Sequence, residues 1–280
     1  MISGATKGPS TNDACYDSRL LQPLSQAERE HFLSLTGLNH EFYARYASEF
    51  HDSRAYGWPA WNQVLDLTAQ RALSVLDIGC GGGRLLSFLE RQWVLGRQCS
   101  LKHFVGVDRE PRLLKHAQEG EYQSSCEWLY WDWCGPLSLS ESLSPLAEFD
   151  LITLFGVLHH VYHPLARLEL ILIAAERLAV EGTLAVSLWD FGDQARYTSK
   201  FLSWDPVIKR GLDPDLILPG DHLLGWRHQE DTPRYCHWMN PEREEELKAL
   251  VSSKATNLSS PEVITHHRDG NRYLVWKRLF

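Results

Sequence analysis

Residues 74–86 read SVLDIGCGGGRLL, and this stretch decides the fold. A short hydrophobic run leads into four closely spaced glycines, and the leucines after Arg84 begin a helical pattern. Glycines at such a turn allow positive φ and bring backbone amides close to a ligand. The dinucleotide-binding pattern G-x-G-x-x-G fails because Arg84 occupies its sixth position. Asp77 precedes the first glycine, and a carboxylate there suits a cationic ligand better than a pyrophosphate.

Further hydrophobic runs alternate with helical stretches on the C-terminal side of this turn. These runs are HFVGVD (103–108), EWLYW (127–131), FDLITLF (149–155) and TLAVSLW (183–189). Such alternation is typical of parallel βαβ units. We therefore predict a doubly wound, mostly parallel α/β sheet over residues 73–189, which would form the ligand-binding core.

An N-terminal helical cap is predicted ahead of this core, over residues 21–72. Aromatic residues recur at helical spacing between Phe42 and Phe50, and a second helix should follow Pro59, which suits a first-turn position. Residues 1–20 have the composition of a flexible tail. Residues 21–280 are expected to form a single domain.

Two segments follow the core. Residues 190–240 are rich in Pro and Trp and are predicted to form a lid over the substrate site. Residues 241–280 predict a short charged helix and then a C-terminal antiparallel hairpin, because Asp269 and Gly270 separate two strand-like runs and favour a tight turn.

Composition restricts the classes of protein. No apolar run in the 280 residues approaches the roughly 20 needed to cross a bilayer, and the N-terminal segment lacks the features of a secretory signal, so a cytoplasmic location is expected. A net charge of −8 argues against nucleic-acid binding over the whole surface, although it allows a local basic patch. The six cysteines are scattered without CxxC or zinc-like Cys/His spacing, so no metal site is predicted.

Three acidic residues follow successive predicted strands around the glycine turn. Asp77 lies at the first strand, Asp108 ends the second, and Asp132 ends the third within WLYWDW. A carboxylate at the end of the second strand can accept both hydroxyls of a ribose. Asp132 would be placed near an adenine amine, with aromatic neighbours for stacking. The alternative is that Asp77 and Asp132 cap loops and the glycines only make a turn.

As a set, these motifs resemble those of the class I S-adenosylmethionine-dependent methyltransferases, over about residues 72–190. The resemblance implies a seven-stranded, Rossmann-like methyltransferase fold with S-adenosylmethionine as cofactor. It also implies a set of residues that hold the cofactor. These are Asp77, Gly79, Gly81, Asp108, Asp132, Trp133 and Phe155.

The strand FDLITLFGVLHHVYHP (149–164) is predicted to end at the same crevice. His159 and His160 are its only groups that titrate near neutrality, and neighbouring residues of a strand point to opposite faces. We expect His159 to face the acceptor, with His160 structural; the alternative is that both only cap the strand. His163, beside Pro164, is expected to be a surface cap. A carboxylate acceptor would already be ionised at neutral pH and would need positioning more than a base.

Segments beyond the core resemble a particular family, the tRNA wobble-uridine carboxymethyl methyltransferases. The matching segments, in chain order, run from His51 to Pro59, Leu158 to His160, Gly220 to Trp226, Arg234 to His237, Glu246 to Leu247 and Gly270 to Asn271. Two departures are that Ser53 lies directly beside Arg54 and that Cys236 replaces an aromatic residue. The resemblance implies a tRNA substrate and a small zinc-binding activator protein that covers an apolar edge.

The same resemblance supplies candidate acceptor residues. Those expected to act at the reacting group are Arg54, His159, Arg227, Arg234 and His237. Guanidinium groups can donate two parallel hydrogen bonds to a carboxylate or phosphate. Trp58 and Trp226 could stack on a nucleobase. The alternative is that the arginines pair with the excess of acidic residues and the tryptophans fill the lid core.

Other charged residues are expected to lie outside the site. Arg109, Arg112 and Lys115 should form a solvated helix face, and Asp221 should orient an arginine. Two further functions stay open at this point. One is a methyltransferase of a small metabolite, which the acidic net charge favours, and the other is a non-catalytic cofactor-binding partner or RNA-binding scaffold.

Overall fold

The computed structural model describes residues 24–54, 56–68, 72–96, 100–133, 148–227, 229–266, 268 and 270–280. The predicted tail at residues 1–20 lies outside these residues. Among the residues described, none of the helices combines the length and the apolar character needed to cross a bilayer.

A mostly parallel sheet of seven strands forms the centre of the fold. Its strands are β1 (Leu73–Ile78), β2 (Leu101–Asp108), β3 (Cys126–Tyr130), β4 (Phe149–Leu154), β5 (Leu178–Trp189), β9 (Glu262–His266) and β10 (Asn271–Lys277). They are ordered β3-β2-β1-β4-β5-β10-β9. The first five pair in parallel, and β10 is antiparallel to both β5 and β9. The predicted fold class is confirmed, including the closing hairpin at the sheet edge.

Burial on both faces explains why these strands appear as continuous hydrophobic runs in the sequence. Successive side chains of a strand point to opposite faces, so Leu76 and Ile78 of β1 enter one core cluster, whereas Leu73 and Val75 enter the other. Both clusters contain fully buried residues. The parallel strands are therefore fixed in register by their two apolar faces.

Helices cover both faces of the sheet. In chain order the helices of the described residues are α1 (Gln26–Asp52), α2 (Trp61–Asp66), α3 (Arg84–Val94), α4 (Pro111–Glu119), α5 (Pro164–Glu176), α6 (Ala195–Thr198), α7 (Asp205–Ile208) and α8 (Pro241–Lys254), of which α6 and α7 belong to the segment predicted as the lid. The start of α1 is fixed by a capping box between Ser25 and Glu28. As predicted, α2 follows Pro59, and α8 contains the charged run at residues 241–250.

The segment predicted as a lid contains a second sheet. Strands β6 (Phe201–Leu202), β7 (Asp221–Trp226) and β8 (Gln229–His237) pair antiparallel in the order β6-β7-β8. Helix α1 lies between this small sheet and the core. Its Asn39 accepts a hydrogen bond from the backbone of Tyr235 on β8, while its His51 stacks on His116 of α4 with ring centroids 4.7 Å apart. One helix thus contacts both the lid and the strand-end loops.

Candidate active site

A cavity of about 600 Å³ lies at the C-terminal edge of β1, β2 and β4, beneath α1 and the small sheet. Open α/β sheets bind ligands at this edge, where the strand order reverses. Three kinds of group line the cavity: the glycine turn with acidic residues, a set of aromatic rings, and several cationic side chains.

The glycine turn between β1 and α3 has left-handed backbone geometry. Gly79, Gly81 and Gly83 have φ values of 77°, 54° and 79°. A Cβ atom at Gly79 would lie 2.3 Å from Cγ2 of Val157, so the turn is closely packed on that side. A Cβ at Gly81 would meet no atom within 4 Å. The turn therefore leaves an open approach to the backbone at Gly81, which lines the cavity.

Two buried carboxyl groups border this turn. Asp77 accepts a hydrogen bond of 2.7 Å from the Thr153 hydroxyl, and burial raises its pKa to about 7. Asp108 accepts backbone hydrogen bonds of 2.8 Å from Gly81 and from Glu110, although burial still raises its pKa. Glu110 caps α4 and is also buried. The turn is thus tied to the end of β2 and surrounded by negative potential.

Asp132 and Trp133 follow β3, as the sequence predicts. Trp133 lines the cavity, while Asp132 lies 3.6 Å from Arg109 in an ion pair. Arg109 is therefore not part of a solvated helix face, because it lines the cavity and its side chain is only 18% exposed. Arg112 and Lys115 are exposed, as predicted.

These residues fit S-adenosylmethionine. Asp77 is a carboxyl whose pKa is raised by burial, and the positive charge of a sulfonium nucleoside would favour its ionised form. Asp108 has lone pairs left on both oxygens for ribose hydroxyls. Phe155 also lines the cavity and stacks on Trp61 at 5.4 Å.

His159 and His160 both line the cavity, so the expectation that only one of them faces it is wrong. The physical reason is that residues Leu158–His160 form a 3-10 turn after β4, in which side chains do not alternate as in a strand. Nδ1 of His160 lies 2.9 Å from the Tyr235 carbonyl, and its Nε2 lies 2.8 Å from the Tyr43 hydroxyl.

Burial keeps both rings neutral. It lowers the pKa of His160 to about 3, and it lowers that of His159 well below its usual value. The His159 ring lies 5.2 Å from Trp189, and its Nδ1 has no hydrogen-bond partner in the described part of the chain. His163 caps α5 by accepting a hydrogen bond from the Leu165 amide; it is buried, so the prediction of a surface position is wrong.

Three arginines project into the cavity without a carboxylate partner among the residues described. Arg54 lies over the Phe50 ring at 4.1 Å, and Arg234 lies over Phe42 at 4.8 Å. Arg84 lies over the Trp58 ring at 4.6 Å. Burial lowers the pKa of Arg54 and brings that of Arg84 to about 10. Arg234 is buried, and Arg54 and Arg84 are half-buried. Cations removed from water without a counter-ion are costly, so the cavity favours an anionic group.

Two predicted acceptor residues lie outside the cavity. Arg227 follows β7, is exposed and covers the Trp226 ring at 4.4 Å. His237 is buried against Asp221, whose carboxylate lies 2.7 Å from its Nδ1 and also accepts from the Tyr235 hydroxyl. Residues three apart in a strand point to opposite faces, so His237 cannot share the cavity with Arg234. Asp221 orients His237 and Tyr235 rather than an arginine.

The predicted stacking tryptophans are both largely covered by other side chains. Trp226 packs against Phe42 and Tyr46, at 5.7 and 5.6 Å, and thereby fills the core between α1 and the lid. Trp58 lines the cavity, with Arg84 over its ring. The alternative that the tryptophans fill the core of the lid therefore describes Trp226, although Trp226 also lines the cavity.

Several cavity residues were not predicted from the sequence. They are Tyr43, Arg84, Glu110, Trp189 and Lys200. Tyr43 appears in the sequence as one more aromatic of an amphipathic helix, and Arg84 appears as the residue that breaks the dinucleotide pattern. The position of Arg84 directly after the glycines was the available signal.

One group of side chains in the described part of the chain has the composition of a metal site. Ligand atoms of His159, His160 and Cys236 lie within 4.8 Å of one another. Both nitrogens of His160 are already hydrogen-bonded, and the nearby positive charges of Arg54 and Arg234 oppose a cation. The arrangement therefore favours hydrogen bonding over metal binding.

Comparison with known proteins agrees with this geometry. A family profile described as a methyltransferase domain matches residues 41–250. No curated protein matches the chain. A solved S-adenosylmethionine-dependent methyltransferase from Methanosarcina mazei is 17% identical, with 80% of this chain and 99% of that chain covered at a TM-score of 0.51. Another solved S-adenosylmethionine-dependent methyltransferase, from Mesorhizobium loti, is 16% identical. The match covers 79% of this chain and 99% of that chain at a TM-score of 0.51.

A third similar structure has a stated substrate. It is an amino pentose methyltransferase from Micromonospora echinaspora with bound cofactor, 14% identical, covering 82% of this chain and 95% of that chain at a TM-score of 0.50. The fold and the strand-end site define an S-adenosylmethionine-dependent methyltransferase. The chain belongs to the methyltransferase-domain family.

Proposed function

We propose that the enzyme transfers a methyl group to a carboxylate, and that this carboxylate is the carboxymethyl group of a tRNA wobble uridine. The observation that carries the proposal is the pair Arg54 and Arg234, a half-buried and a buried cationic side chain that line the cavity without an acidic partner among the residues described. A carboxylate would supply the missing counter-charge. The tRNA assignment rests on the order of motifs along the chain and places the enzyme in the cytoplasm.

The bound cofactor supplies a methyl group on a positively charged sulfur. Transfer to a carboxylate oxygen breaks the sulfur–carbon bond, forms an oxygen–carbon bond and moves no proton. The neutral rings of His159 and His160 are therefore not required as bases. Opposite charges cancel as the bond forms, and a dry cavity favours such a step.

The arginines orient the acceptor and also discriminate product from substrate. A carboxylate can accept charge-assisted hydrogen bonds from Arg54 and Arg234, whereas the methyl ester is uncharged. Conversion to the ester thus removes the attraction that holds the acceptor. Product release follows from the same two side chains that bind the substrate.

The test uses purified enzyme, labelled cofactor and tRNA from a strain that lacks the gene. We expect label in the methyl ester of 5-carboxymethyluridine and none in tRNA that carries the neutral 5-carbamoylmethyl group. Arg54→Ala should raise the KM for tRNA about tenfold or more, the effect of losing a hydrogen bond to a charged group. Cofactor affinity should stay unchanged. The matched control is Arg227→Ala, because Arg227 lies outside the cavity.

Absence of label with or without an activator would contradict the tRNA assignment. Equal labelling of the neutral amide would contradict the carboxylate assignment. Loss of cofactor affinity in Arg54→Ala would show that Arg54 belongs to the cofactor subsite instead.

A small carboxylate metabolite is the second candidate acceptor. The net charge of −8 favours it, because the cationic groups described above lie inside the cavity rather than over the surface. A metabolite extract that contains no tRNA should then become labelled by the wild-type enzyme and not by Arg234→Ala. This result would decide for the metabolite as acceptor.

We also propose a small activator protein as partner. Strand β3 is the edge of the seven-stranded sheet, and its Tyr130 is 54% exposed. Exposed sheet edges offer unpaired backbone groups to a second chain. Co-purification with a co-expressed activator would support this partner if Leu129→Pro abolishes it. Unchanged activity and solubility with every activator tested would contradict it.

A further inference from the structure

Cationic side chains dominate the wall of the cavity, although the protein as a whole is acidic. Among the residues described, the acidic ones that line it are Asp108 and Glu110, which both lie at the cofactor side near the end of β2. The lining cations are Arg54, Arg84, Arg109, Lys200, Arg234 and Arg268. A cleft lined by one sign of charge concentrates counter-ions from solution. The cavity is thus cationic in a chain whose net charge is −8.

These cations exceed what the cofactor and one acceptor carboxylate can neutralise. Arg109 pairs with Asp132, and none of the other lining cations forms an ion pair with an acidic side chain in the described part of the chain. S-adenosylmethionine carries a sulfonium and an ammonium group against one carboxylate, so it adds positive charge. The lining acids and the acceptor carboxylate together supply fewer negative charges than remain to be matched. This surplus favours an acceptor with further anionic groups.

Two of the unmatched cations lie at the mouth of the cavity. Lys200 and Arg268 line the cavity and are also exposed to solvent. Arg234 is buried and Arg54 is half-buried, so these two arginines lie deeper. The cavity therefore has an inner pair of cations, which faces the proposed carboxylate, and an outer pair that is open to solvent.

The outer pair comes from two elements that contact each other. Lys200 directly precedes β6 of the lid, and its carbonyl accepts a hydrogen bond of 3.0 Å from the Gly225 amide of β7. Arg268 lies between β9 and β10, two residues before Gly270. Gly270 has a φ of 69°, and a Cβ there would lie 2.8 Å from Nη2 of Arg196 in α6. The glycine thus allows the hairpin turn to approach the lid closely, and this contact joins the two sides of the mouth.

Acidic residues close to the mouth do not cancel the outer pair. Asp190, directly after β5, lies 2.8 Å from Arg272 in an ion pair and accepts the Trp238 indole N–H at 3.2 Å. Asp193 of the lid segment is exposed and is not among the residues that line the cavity. The charges of Lys200 and Arg268 are therefore directed at a ligand rather than at this protein.

We infer that Lys200 and Arg268 form a phosphate-binding subsite, which holds the backbone phosphates next to the methylated nucleotide of a single-stranded RNA loop. The inference rests on the proposed function and deepens it, because it names RNA rather than a small metabolite as the acceptor. A base in a single-stranded loop can leave its stack and enter a pocket, while its phosphates stay outside. Such phosphate contacts position the substrate, and the inner arginines recognise the carboxylate.

The test measures the binding of three ligands with S-adenosylhomocysteine present, so that no methyl transfer is needed. They are 5-carboxymethyluridine, its 5′-monophosphate, and a short single-stranded RNA oligonucleotide with the same base at its centre. In Lys200→Ala/Arg268→Ala the Kd for the oligonucleotide should rise about tenfold, with the Kd for the nucleoside unchanged. The slope of log Kd against log salt should fall by about 1.4, because each lost phosphate contact contributes about 0.7.

The matched control is Lys209→Ala/Arg210→Ala. It removes the same charge from exposed positions of the lid segment that do not line the cavity. We expect its Kd values and its salt slope to equal those of the wild type. Arg234→Ala should weaken all three ligands, because each of them carries the carboxylate.

Three results would separate the subsite from the proposed function. An oligonucleotide Kd that does not change in Lys200→Ala/Arg268→Ala, or that rises equally in the control, would overturn the subsite, while methyl ester formed in tRNA would leave the proposed function standing. A monophosphate that binds as tightly as the oligonucleotide would overturn RNA as the source of the phosphate. Weaker oligonucleotide binding in the double variant, with label at an atom other than the carboxymethyl oxygen, would support the subsite and overturn the proposed acceptor group.

Discussion

Replacing Asp77 with asparagine tests whether the carboxyl at the end of β1 lowers the stability of the cofactor-free protein while it increases the affinity for the cofactor. Burial raises the pKa of Asp77 from 3.8 to about 7. At about 1.36 kcal/mol for each pKa unit, the ionised form costs the cofactor-free protein up to about 4 kcal/mol. Asparagine has no charge and keeps an oxygen that accepts the Thr153 hydroxyl, which donates at 2.7 Å in the wild type.

The direction of the pH dependence follows from linkage. A carboxyl whose pKa is raised in the folded state binds more protons when folded, so the wild type should lose stability as the pH rises from about 4 to about 7. Asp77→Asn should lack this loss. At pH 8 we expect the cofactor-free variant to melt several degrees above the cofactor-free wild type. The upper limit is roughly 8 °C, which is about 4 kcal/mol converted at about 2 °C per kcal/mol.

Cofactor binding should change in the opposite direction. The ionised fraction of a group with pKa 7 rises about tenfold between pH 6 and pH 8, so the wild-type Kd for the cofactor should fall about tenfold over that range. Asp77→Asn should bind more weakly at pH 8. His51 lines the same cavity, and burial and the stacked His116 lower its pKa. The pH dependence of the cofactor Kd that persists in Asp77→Asn measures the contribution of His51.

Asp108→Asn is the matched control. Both Asp108 oxygens accept backbone amides, so an asparagine would leave one of them without a partner and should destabilise the protein. Calorimetry for melting and titration for Kd give both readouts. A melting temperature for Asp77→Asn at or below that of the wild type would refute the reasoning, as would a wild-type Kd that does not vary with pH.

Three further predictions concern the turn, the lid and the histidine cluster. Gly79→Ala should lower the free energy of unfolding by more than about 1 kcal/mol and weaken cofactor binding, because φ is 77° and the new Cβ would meet Val157; thermal melting and titration check this. Trp226→Ala should cost about 3–5 kcal/mol in denaturant unfolding, because it empties the core beneath the lid. Added zinc should not raise the melting temperature, because both nitrogens of His160 are hydrogen-bonded; a rise that Cys236→Ser removes would contradict this.

The core was predictable because its strands are buried on both faces and therefore appear as unbroken hydrophobic runs. The small sheet was missed because β6 has two residues and β8 begins with the polar run QEDTPR, which resembles a loop. Neither strand carries a distinctive local pattern: β6 is held by pairing with β7, and β8 is also held by α1, which is far away in sequence.

The sequence predicted the site residues that follow strand ends. It did not predict which side chains of a strand point into the cavity. Asp108 lines the cavity beside the glycine turn, whereas Asp77 is buried at the end of β1 and is not among the residues that line it. Motif order placed Arg234 and His237 in one site, yet they point to opposite sides of β8. Tyr43 and His160 were underrated because a hydrogen-bond chain across three elements leaves no spacing pattern in the sequence.

The position of α1 between the lid and the cofactor half has a thermodynamic consequence. Helix α1 is kinked at Tyr46, between its His51 side and its Asn39 side, where it bonds β8. A shift that accompanies cofactor binding at His51 reaches β8 to the extent that this kink transmits it. The affinities for the two substrates should then depend on each other, and by the same factor in both directions, since such linkage is reciprocal. We expect the cofactor to tighten acceptor binding, so that the acceptor is retained chiefly when a methyl donor is already in place.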